Sequence, residues 1–137
     1  MAGIPCSVTL KSAQTMGKEA ETTTEVYSGN YMDRLEKRYL SYKRVTAEGE
    51  TAVLINFTQD FMSLTQQGQI SSHMEFKPGE KTFNDYGTPA GKMTLAVFTK
   101  SFSVDQQKDY IKIVLKYDLL LGNGDPITTD MDILVKF

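Results

Sequence analysis

The sequence predicts an all-β protein, an antiparallel β-barrel of about eight to ten strands. Many short segments alternate between apolar and polar residues with a period of two, which places successive side chains on opposite faces of a strand. Residues typical of turns separate these segments every 10–14 residues or so, roughly the spacing of an antiparallel sandwich or barrel. No ten-residue stretch shows the period of an amphipathic helix. We therefore expect a protein built from consecutive hairpins.

The first 76 residues contain three segments with this alternation, namely residues 6–10, 53–57 and 70–76. In each, apolar or small side chains occupy one parity and mostly polar side chains the other. The contrast is weakest in the second segment, because Leu54 lies on the otherwise polar face. Each segment is predicted to be a strand with one buried face.

The third quarter of the chain carries an alternation that changes phase. Met93, Leu95 and Val97 share one parity with Thr99, but beyond Thr99 the bulky residues move to the other parity, as at Phe102. An extra residue in one strand of a pair produces this change. The sequence therefore predicts a β-bulge or a barrel corner near Thr99.

The two last strands are the clearest. Residues 110–119 place apolar side chains at every odd position, while lysines, an aspartate and Tyr110 take most even ones. Residues 131–137 repeat the pattern between aspartates and a lysine. At helical spacing these charges would scatter around the axis and interrupt any apolar stripe.

Turn residues separate the predicted strands. Residues 122–126 (Gly-Asn-Gly-Asp-Pro) tolerate the positive φ that tight hairpins require. Pro78-Gly79 suits a type II turn, and Pro89 interrupts any strand because it lacks an N–H donor. Consecutive hairpins leave two edge strands, and closure into a barrel removes them.

Length and composition predict one domain, spanning residues 1–137. A hydrophobic fraction of 40% is too high for a disordered chain. The longest apolar run is far shorter than the roughly 20 residues of a membrane-spanning helix. A net charge of −2 provides no concentrated positive surface for nucleic acid. We expect neither a membrane nor a nucleic acid as a partner.

The single cysteine, Cys6, excludes an internal disulfide. Residues 1–5 have neither the basic nor the apolar region of a secretory signal, so we expect a cytoplasmic protein. Cys6 itself is expected to be a structural thiol, because the only histidine is far away in sequence.

Residues with catalytic or metal-binding chemistry are sparse. His73 shares the parity of polar neighbours and should face water, with no second histidine or cysteine at metal-ligand spacing. Asp130 and Asp132 should also face solvent, opposite an apolar set. Residues 122–125 lack the Walker pattern and the acidic spacing of a calcium loop. We expect no enzyme activity, no cofactor and no metal.

Several segments resemble a known family in their order and spacing. They are Tyr39-Leu40-Ser41-Tyr42, Gly68, Met74-Glu75-Phe76, Gly79, the stretch Tyr86-Gly87-Thr88-Pro89-Ala90-Gly91-Lys92-Met93-Thr94-Leu95, and residues 111–119. The chain is similar, from about Val8 to Val135, to the YwiB-like family of small bacterial calycin-type β-barrels. The resemblance implies a lipocalin-like up-and-down barrel from a Gram-positive or related bacterium, without assigned catalytic residues.

This sequence departs from the family pattern at two places. Gln66 stands where relatives often have an arginine, and Lys43 and Arg44 stand where relatives tend to have acidic residues. A charge that the family arginine supplies to an anion or to an ion pair is therefore absent at position 66.

Hydroxyl-bearing residues in the resembling segments and on apolar faces are candidate ligand contacts. The candidates are Tyr42, Tyr86, Thr99 and Tyr117. A few convergent polar groups in an apolar cavity are typical of a small-molecule site. The favoured hypothesis is a non-catalytic module that binds a small, mostly apolar ligand in the barrel.

The alternative hypothesis is a structural or interaction protein with a packed barrel, acting through a surface strand or as a homodimer. Tyr39, Tyr110 and Leu120 are apolar residues on otherwise polar faces and are candidates for such a surface.

Overall fold

The computed structural model describes residues 3–34, 37–47, 49–120 and 124–137, and the described chain is entirely β. Its strands are β1 (Ile4–Met16), β2 (Glu19–Arg34), β3 (Lys37–Thr46), β4 (Gly49–Phe57), β5 (Met62–Gly68), β6 (Ser71–Phe76), β7 (Lys81–Thr88), β8 (Gly91–Gln106), β9 (Tyr110–Leu120) and β10 (Ile127–Lys136). The predicted all-β class and strand count are confirmed. No described helix is long and apolar enough to cross a membrane.

The strands form a closed antiparallel barrel in which each strand pairs with its neighbours in sequence. Pairing of β1 with β10, from Ser7 opposite Lys136 to Thr15 opposite Thr128, closes the ring. Because every strand has two partners, no row of backbone N–H and C=O groups is left as an edge. The prediction of a closed up-and-down barrel is confirmed.

The phase change near Thr99 is a β-bulge. Thr99 lies opposite Tyr117, but the next pair joins Ser101 to Lys116, so Lys100 is the extra residue. The bulge lets Thr99 and Phe102 both face inward although they differ in parity.

Of two predicted turns, one is fully described by the structure and the other only in part. The N–H of Glu80 donates to the carbonyl of Lys77 at 2.9 Å, and Gly79 has a φ of 78°. These are the features of a type II turn with glycine at its third position, as predicted. The predicted turn at residues 122–126 lies partly outside the described residues, because 122 and 123 are not among them.

The interior is filled at only one end of the barrel. The end of the barrel at which the odd-numbered strands begin is called the packed end. The end at which they finish is called the open end. Side chains that are fully excluded from solvent crowd the half nearer the packed end: Val8, Leu40, Ile55, Phe57, Met62, Ile111, Ile113, Leu115, Ile133 and Val135. Val97, opposite Leu119 near the end of β9, is also fully buried. Burying each such side chain contributes about 1.5–3 kcal/mol, so this half holds most of the stabilising core.

Aromatic and charged side chains plug the packed end. The Arg38 guanidinium lies 4.9 Å from the centre of the Phe57 ring and donates to the side-chain oxygen of Gln106. The rings of Tyr31 and Phe137 meet edge to face at 5.2 Å. These contacts close this end of the barrel interior.

A buried asparagine bridges β6, β7 and β8. The β6–β7 ladder contains only three pairs, ending at His73 opposite Asp85. Beyond it, Asn84 Oδ1 accepts from the N–H of Glu75 at 2.8 Å, and its amide nitrogen donates to the carbonyl of Leu95 at 3.2 Å. The Asn84 side chain therefore takes the place of missing backbone hydrogen bonds.

Candidate functional site

A cavity of about 260 Å³ occupies the open half of the barrel. Its floor lies on the packed core, and its rim lies at the ends of the β1–β2 hairpin. The residues that line it come from eight strands: Leu10, Ser12, Gln14, Glu21, Thr23, Glu25, Tyr42, Arg44, Val53, Leu64, Gln66, Met74, Phe76, Tyr117 and Met131. The barrel is thus neither hollow nor filled, but packed in one half and open in the other.

The deeper wall of the cavity is apolar. Leu64 lies opposite Met74, and Met74 precedes Phe76 on the inward face of β6. The Phe76 ring lies 4.9 Å from the ring of Tyr117. This wall excludes water from one side of any molecule that enters.

Two tyrosines are stacked beside the cavity. The rings of Tyr27 and Tyr42 are 4.8 Å apart and nearly parallel, at 16°. Tyr42 is buried, and this burial raises the pKa of its hydroxyl. Burial also raises the pKa of Tyr27, with a smaller contribution from its hydrogen bond to Glu25. Both hydroxyls are therefore neutral at physiological pH.

Charged and amide side chains form a chain across four strands at the rim. The Tyr27 hydroxyl donates to the Glu25 carboxylate, whose oxygen lies 3.7 Å from an Arg44 nitrogen. Arg44 also approaches the Gln66 amide oxygen at 3.5 Å, and Gln66 donates to Ser72 at 3.2 Å. Both Arg44 distances exceed the usual range of about 2.7–3.2 Å for N–H···O bonds. The guanidinium is also hydrogen-bonded to the Tyr27 side chain.

A cationic side chain lies beside Gln66, although position 66 itself carries no charge. Arg44 on β3 reaches the side chain of Gln66 on β5, so this part of the wall does carry a cationic group.

The structure brings two of the four candidate residues together. Tyr42 and Tyr117 both line the cavity. Tyr117 lies opposite Thr129, the two side chains are hydrogen-bonded, and burial raises the pKa of Tyr117. Contact of either tyrosine with a ligand stays a prediction.

The other two candidates lie apart from the cavity. Thr99 is fully buried and does not line it, and its hydroxyl has no hydrogen-bond partner within the described chain. Tyr86 is half-buried and lines a more open depression over β5–β8, which shares Gln66 with the cavity. The four residues therefore do not converge on one point.

Arg44 and Glu25 were not predicted to be site residues. A signal for Arg44 exists, because it shares the parity of Leu40 and Tyr42 and so faces inward. Glu25 gives no such signal, since the inward positions of β2 near the rim are polar. Only the pairing of Glu25 with Leu10 shows that it faces the interior.

The expected solvent-facing residues are where the alternation predicts them. His73 is exposed, with its Nδ1 2.9 Å from the Thr65 hydroxyl. Asp130 is exposed and pairs with Lys116 at 3.6 Å. Among the described residues, no group of three or more His, Cys, Asp and Glu is arranged to hold a metal ion.

The three residues considered for a surface patch do not form one. Tyr110 begins β9 and Leu120 ends it, so at about 3.3 Å per residue they lie at opposite ends of the barrel. Tyr39 lies on β3, paired with Met32 and Asn56.

The fold and its cavity define a class of small, closed, ten-stranded antiparallel β-barrels with one packed and one open half. Within this class the chain belongs to the domain family of unknown function DUF1934, which it matches over residues 8–133. The predicted resemblance to YwiB-like proteins is confirmed.

Two comparisons with individual proteins agree with this membership. The chain is 24% identical over 96 residues to the uncharacterized beta-barrel protein YwiB of Bacillus subtilis (strain 168), covering 70% of this chain and 68% of that protein. It also superimposes on the crystal structure of the ywiB protein from Bacillus subtilis with a TM-score of 0.88 and 22% identity, covering 96% of this chain and 90% of that chain. The second likeness establishes the shared fold.

Proposed function

We propose that this protein is a non-catalytic binding module that takes a small, mostly apolar molecule into the open half of its barrel. The observation that carries the proposal is the cavity of about 260 Å³, with an apolar deep wall and a polar rim. Ligand sites typically combine an apolar lining with a few polar groups that orient the ligand.

The size of the cavity restricts the ligand. Pockets for drug-sized molecules have volumes of about 300–1,000 Å³, so this cavity suits a smaller one. Each methylene group removed from water contributes about 0.8 kcal/mol, and the Leu64–Met74–Phe76 wall provides the surface for that burial. Tyr42 and Tyr117 are the proposed hydroxyl contacts.

The proposed cellular location and the proposed lack of enzyme activity belong to the same proposal. We propose a cytoplasmic protein, which the unpaired and half-buried Cys6 supports. Homodimerisation is the competing proposal, but no contiguous patch formed by Tyr39, Tyr110 and Leu120 supports it.

Titration with 2-phenylethanol, followed by amide chemical shifts in NMR spectra, tests the proposal. We expect saturable shifts at residues that line the cavity. Leu64→Phe should fill part of the cavity and weaken binding about tenfold or more, because an overpacked wall leaves less room. Leu54→Phe is the matched control, since Leu54 lies on the outer face and is 40% exposed.

Two results would contradict the proposal. One is the absence of saturable shifts in the unmodified protein both with 2-phenylethanol and with L-phenylalanine, which has a similar apolar body. The other is equal binding by the Leu64→Phe variant, provided that its spectrum shows the native fold.

A further inference from the structure

The cavity carries charges of both signs. Its lining includes one cationic side chain, Arg44, and two carboxylates, Glu21 and Glu25. Arg44 lies on β3 and the carboxylates lie on β2, and Glu25 and Glu21 lie opposite Leu10 and Gln14 of β1. Opposite charges therefore project into one space above an apolar wall.

These charges do not fully satisfy one another. Arg44 and Glu25 are 3.7 Å apart, beyond the 2.7–2.9 Å or so of a charge-assisted hydrogen bond. Their side chains keep 33% and 40% of their solvent exposure. Glu21 makes no ion pair within the described residues. Arg44 is also hydrogen-bonded to Tyr27, which donates to Glu25, so these three side chains form one partly exposed network. The guanidinium and both carboxylates line the cavity.

A ligand with a single charge fits this arrangement poorly. An anion attracted by Arg44 would meet the two carboxylates, and a cation attracted by the carboxylates would meet Arg44. A ligand that carries both charges on neighbouring atoms can place each beside its opposite, because like charges then never become nearest neighbours.

We propose that the ligand class is a small zwitterion with an apolar side chain, of which apolar α-amino acids are the simplest members. The inference rests on the proposed function, because it assigns the head group of a molecule bound in the same cavity. The carboxylate accepts from the planar fork of Arg44, which suits two parallel hydrogen bonds. The ammonium group donates to Glu25 and Glu21, and the side chain packs against Leu64 and Phe76.

Four probes with one apolar body separate the head-group chemistry. They are L-phenylalanine, 3-phenylpropionate, 2-phenylethylamine and 2-phenylethanol, measured with the full chain by NMR titration at low salt. We expect phenylalanine to bind about tenfold more tightly than each of the others, because hydrogen bonds between charged groups contribute more than apolar contact alone. Its advantage should decrease at high salt, since the rim is partly exposed.

Variants of the two charged partners should change the preference in different ways. Arg44→Gln should reduce phenylalanine binding about tenfold and should reduce 2-phenylethanol binding much less. Glu25→Gln should reduce the binding of phenylalanine and of 2-phenylethylamine. Lys43→Gln is the matched control, because Lys43 is the next residue on β3 and is exposed on the outer face.

The outcomes distinguish this inference from the proposed function. If 2-phenylethanol binds but phenylalanine binds no more tightly, the zwitterion is excluded and the binding module stands. If none of the four probes binds, both proposals are wrong. If Arg44→Gln does not fold, Arg44→Lys provides the test, since it keeps the charge but lacks the fork; unchanged preference in that variant contradicts the bidentate contact.

Discussion

At the scale of single residues, two buried threonines differ in whether their hydroxyls are bonded. Thr99 Oγ1 has no partner within the described residues, whereas the Thr129 hydroxyl is hydrogen-bonded to Tyr117. Both side chains are almost completely buried, at 0% and 1% exposure. An unpaired buried hydroxyl costs free energy, and a paired one costs it only when its partner is removed.

The two threonines should therefore respond differently to replacement by valine. Thr99→Val is expected to leave the free energy of unfolding unchanged or to raise it by about 1 kcal/mol, since an unsatisfied group is removed. Thr129→Val should lower it by about 1–3 kcal/mol, because the Tyr117 hydroxyl stays buried without its hydrogen-bond partner. Urea denaturation measures both, and equal destabilisation would contradict the assignment.

Buried tyrosines predict a loss of stability at alkaline pH. Burial raises the pKa of Tyr31 to about 12, and it shifts Tyr42 and Tyr117 in the same direction. Unfolded tyrosine ionises near pH 10, so above that pH the unfolded state loses protons that the folded state keeps. The stabilising contribution is complete below about pH 10 and decreases as the pH rises toward the folded values.

The midpoint of urea denaturation should therefore decrease between pH 10 and about pH 12. Tyr42→Phe should flatten this decrease, because phenylalanine has no proton to lose. Parallel profiles for the variant and the unmodified protein would show that Tyr42 does not contribute.

At the scale of elements, two glycines with similar φ angles separate the effect of backbone strain from the effect of close packing between strands. Gly68 at the end of β5 has a φ of 147°, and Gly91 at the start of β8 has a φ of 143°. A Cβ atom at Gly68 would lie 2.3 Å from the Glu50 carbonyl oxygen, but at Gly91 it would meet nothing within 4 Å. The two positions share the unfavourable φ and differ in space.

Alanine at these positions should separate the two effects. Gly91→Ala is expected to cost about 1–3 kcal/mol of stability, from backbone strain alone. Gly68→Ala should cost clearly more, because the β4 backbone must move as well. Thermal and urea denaturation compare the two variants, and equal losses would mean that β4 and β5 separate at little cost.

The sequence predicted a strand correctly where one face of that strand is apolar. The alternation of β9 and the phase change in β8 predicted the strand and the bulge correctly, because the packed core imposes a period of two. The long strand β2 gave no such pattern, since its inward residues Glu21, Thr23 and Glu25 line the polar rim. A strand whose inner face meets water lacks the contrast on which periodicity depends.

At the scale of the whole molecule, the uneven filling of the barrel predicts uneven stability. The packed half holds most of the fully buried side chains, whereas residues 14–24 of the β1–β2 hairpin are exposed. Local opening is easiest where few apolar contacts must be broken. The two halves should therefore differ in hydrogen exchange.

Hydrogen exchange followed by NMR checks this expectation. Amides of Ile111, Ile113 and Val135 should exchange only through global unfolding, and those of residues 14–24 should exchange much sooner. Addition of a ligand that binds in the cavity should slow exchange at the open end more than at the packed end. Uniform protection along β1 and β2 would contradict the division of the barrel into two halves.

Three structural properties could be predicted from local alternation and turn residues: the all-β class, the approximate number of strands, and the inward faces of β8, β9 and β10. The family was predicted from the order and spacing of the segments that resemble it. The half-packed, half-open interior could not be predicted in this way, nor could the position of Arg44 beside Gln66 and Glu25 in a single cavity. The register between strands and the closure of the ring bring these distant residues together, and neither property is written in the alternation of any one strand.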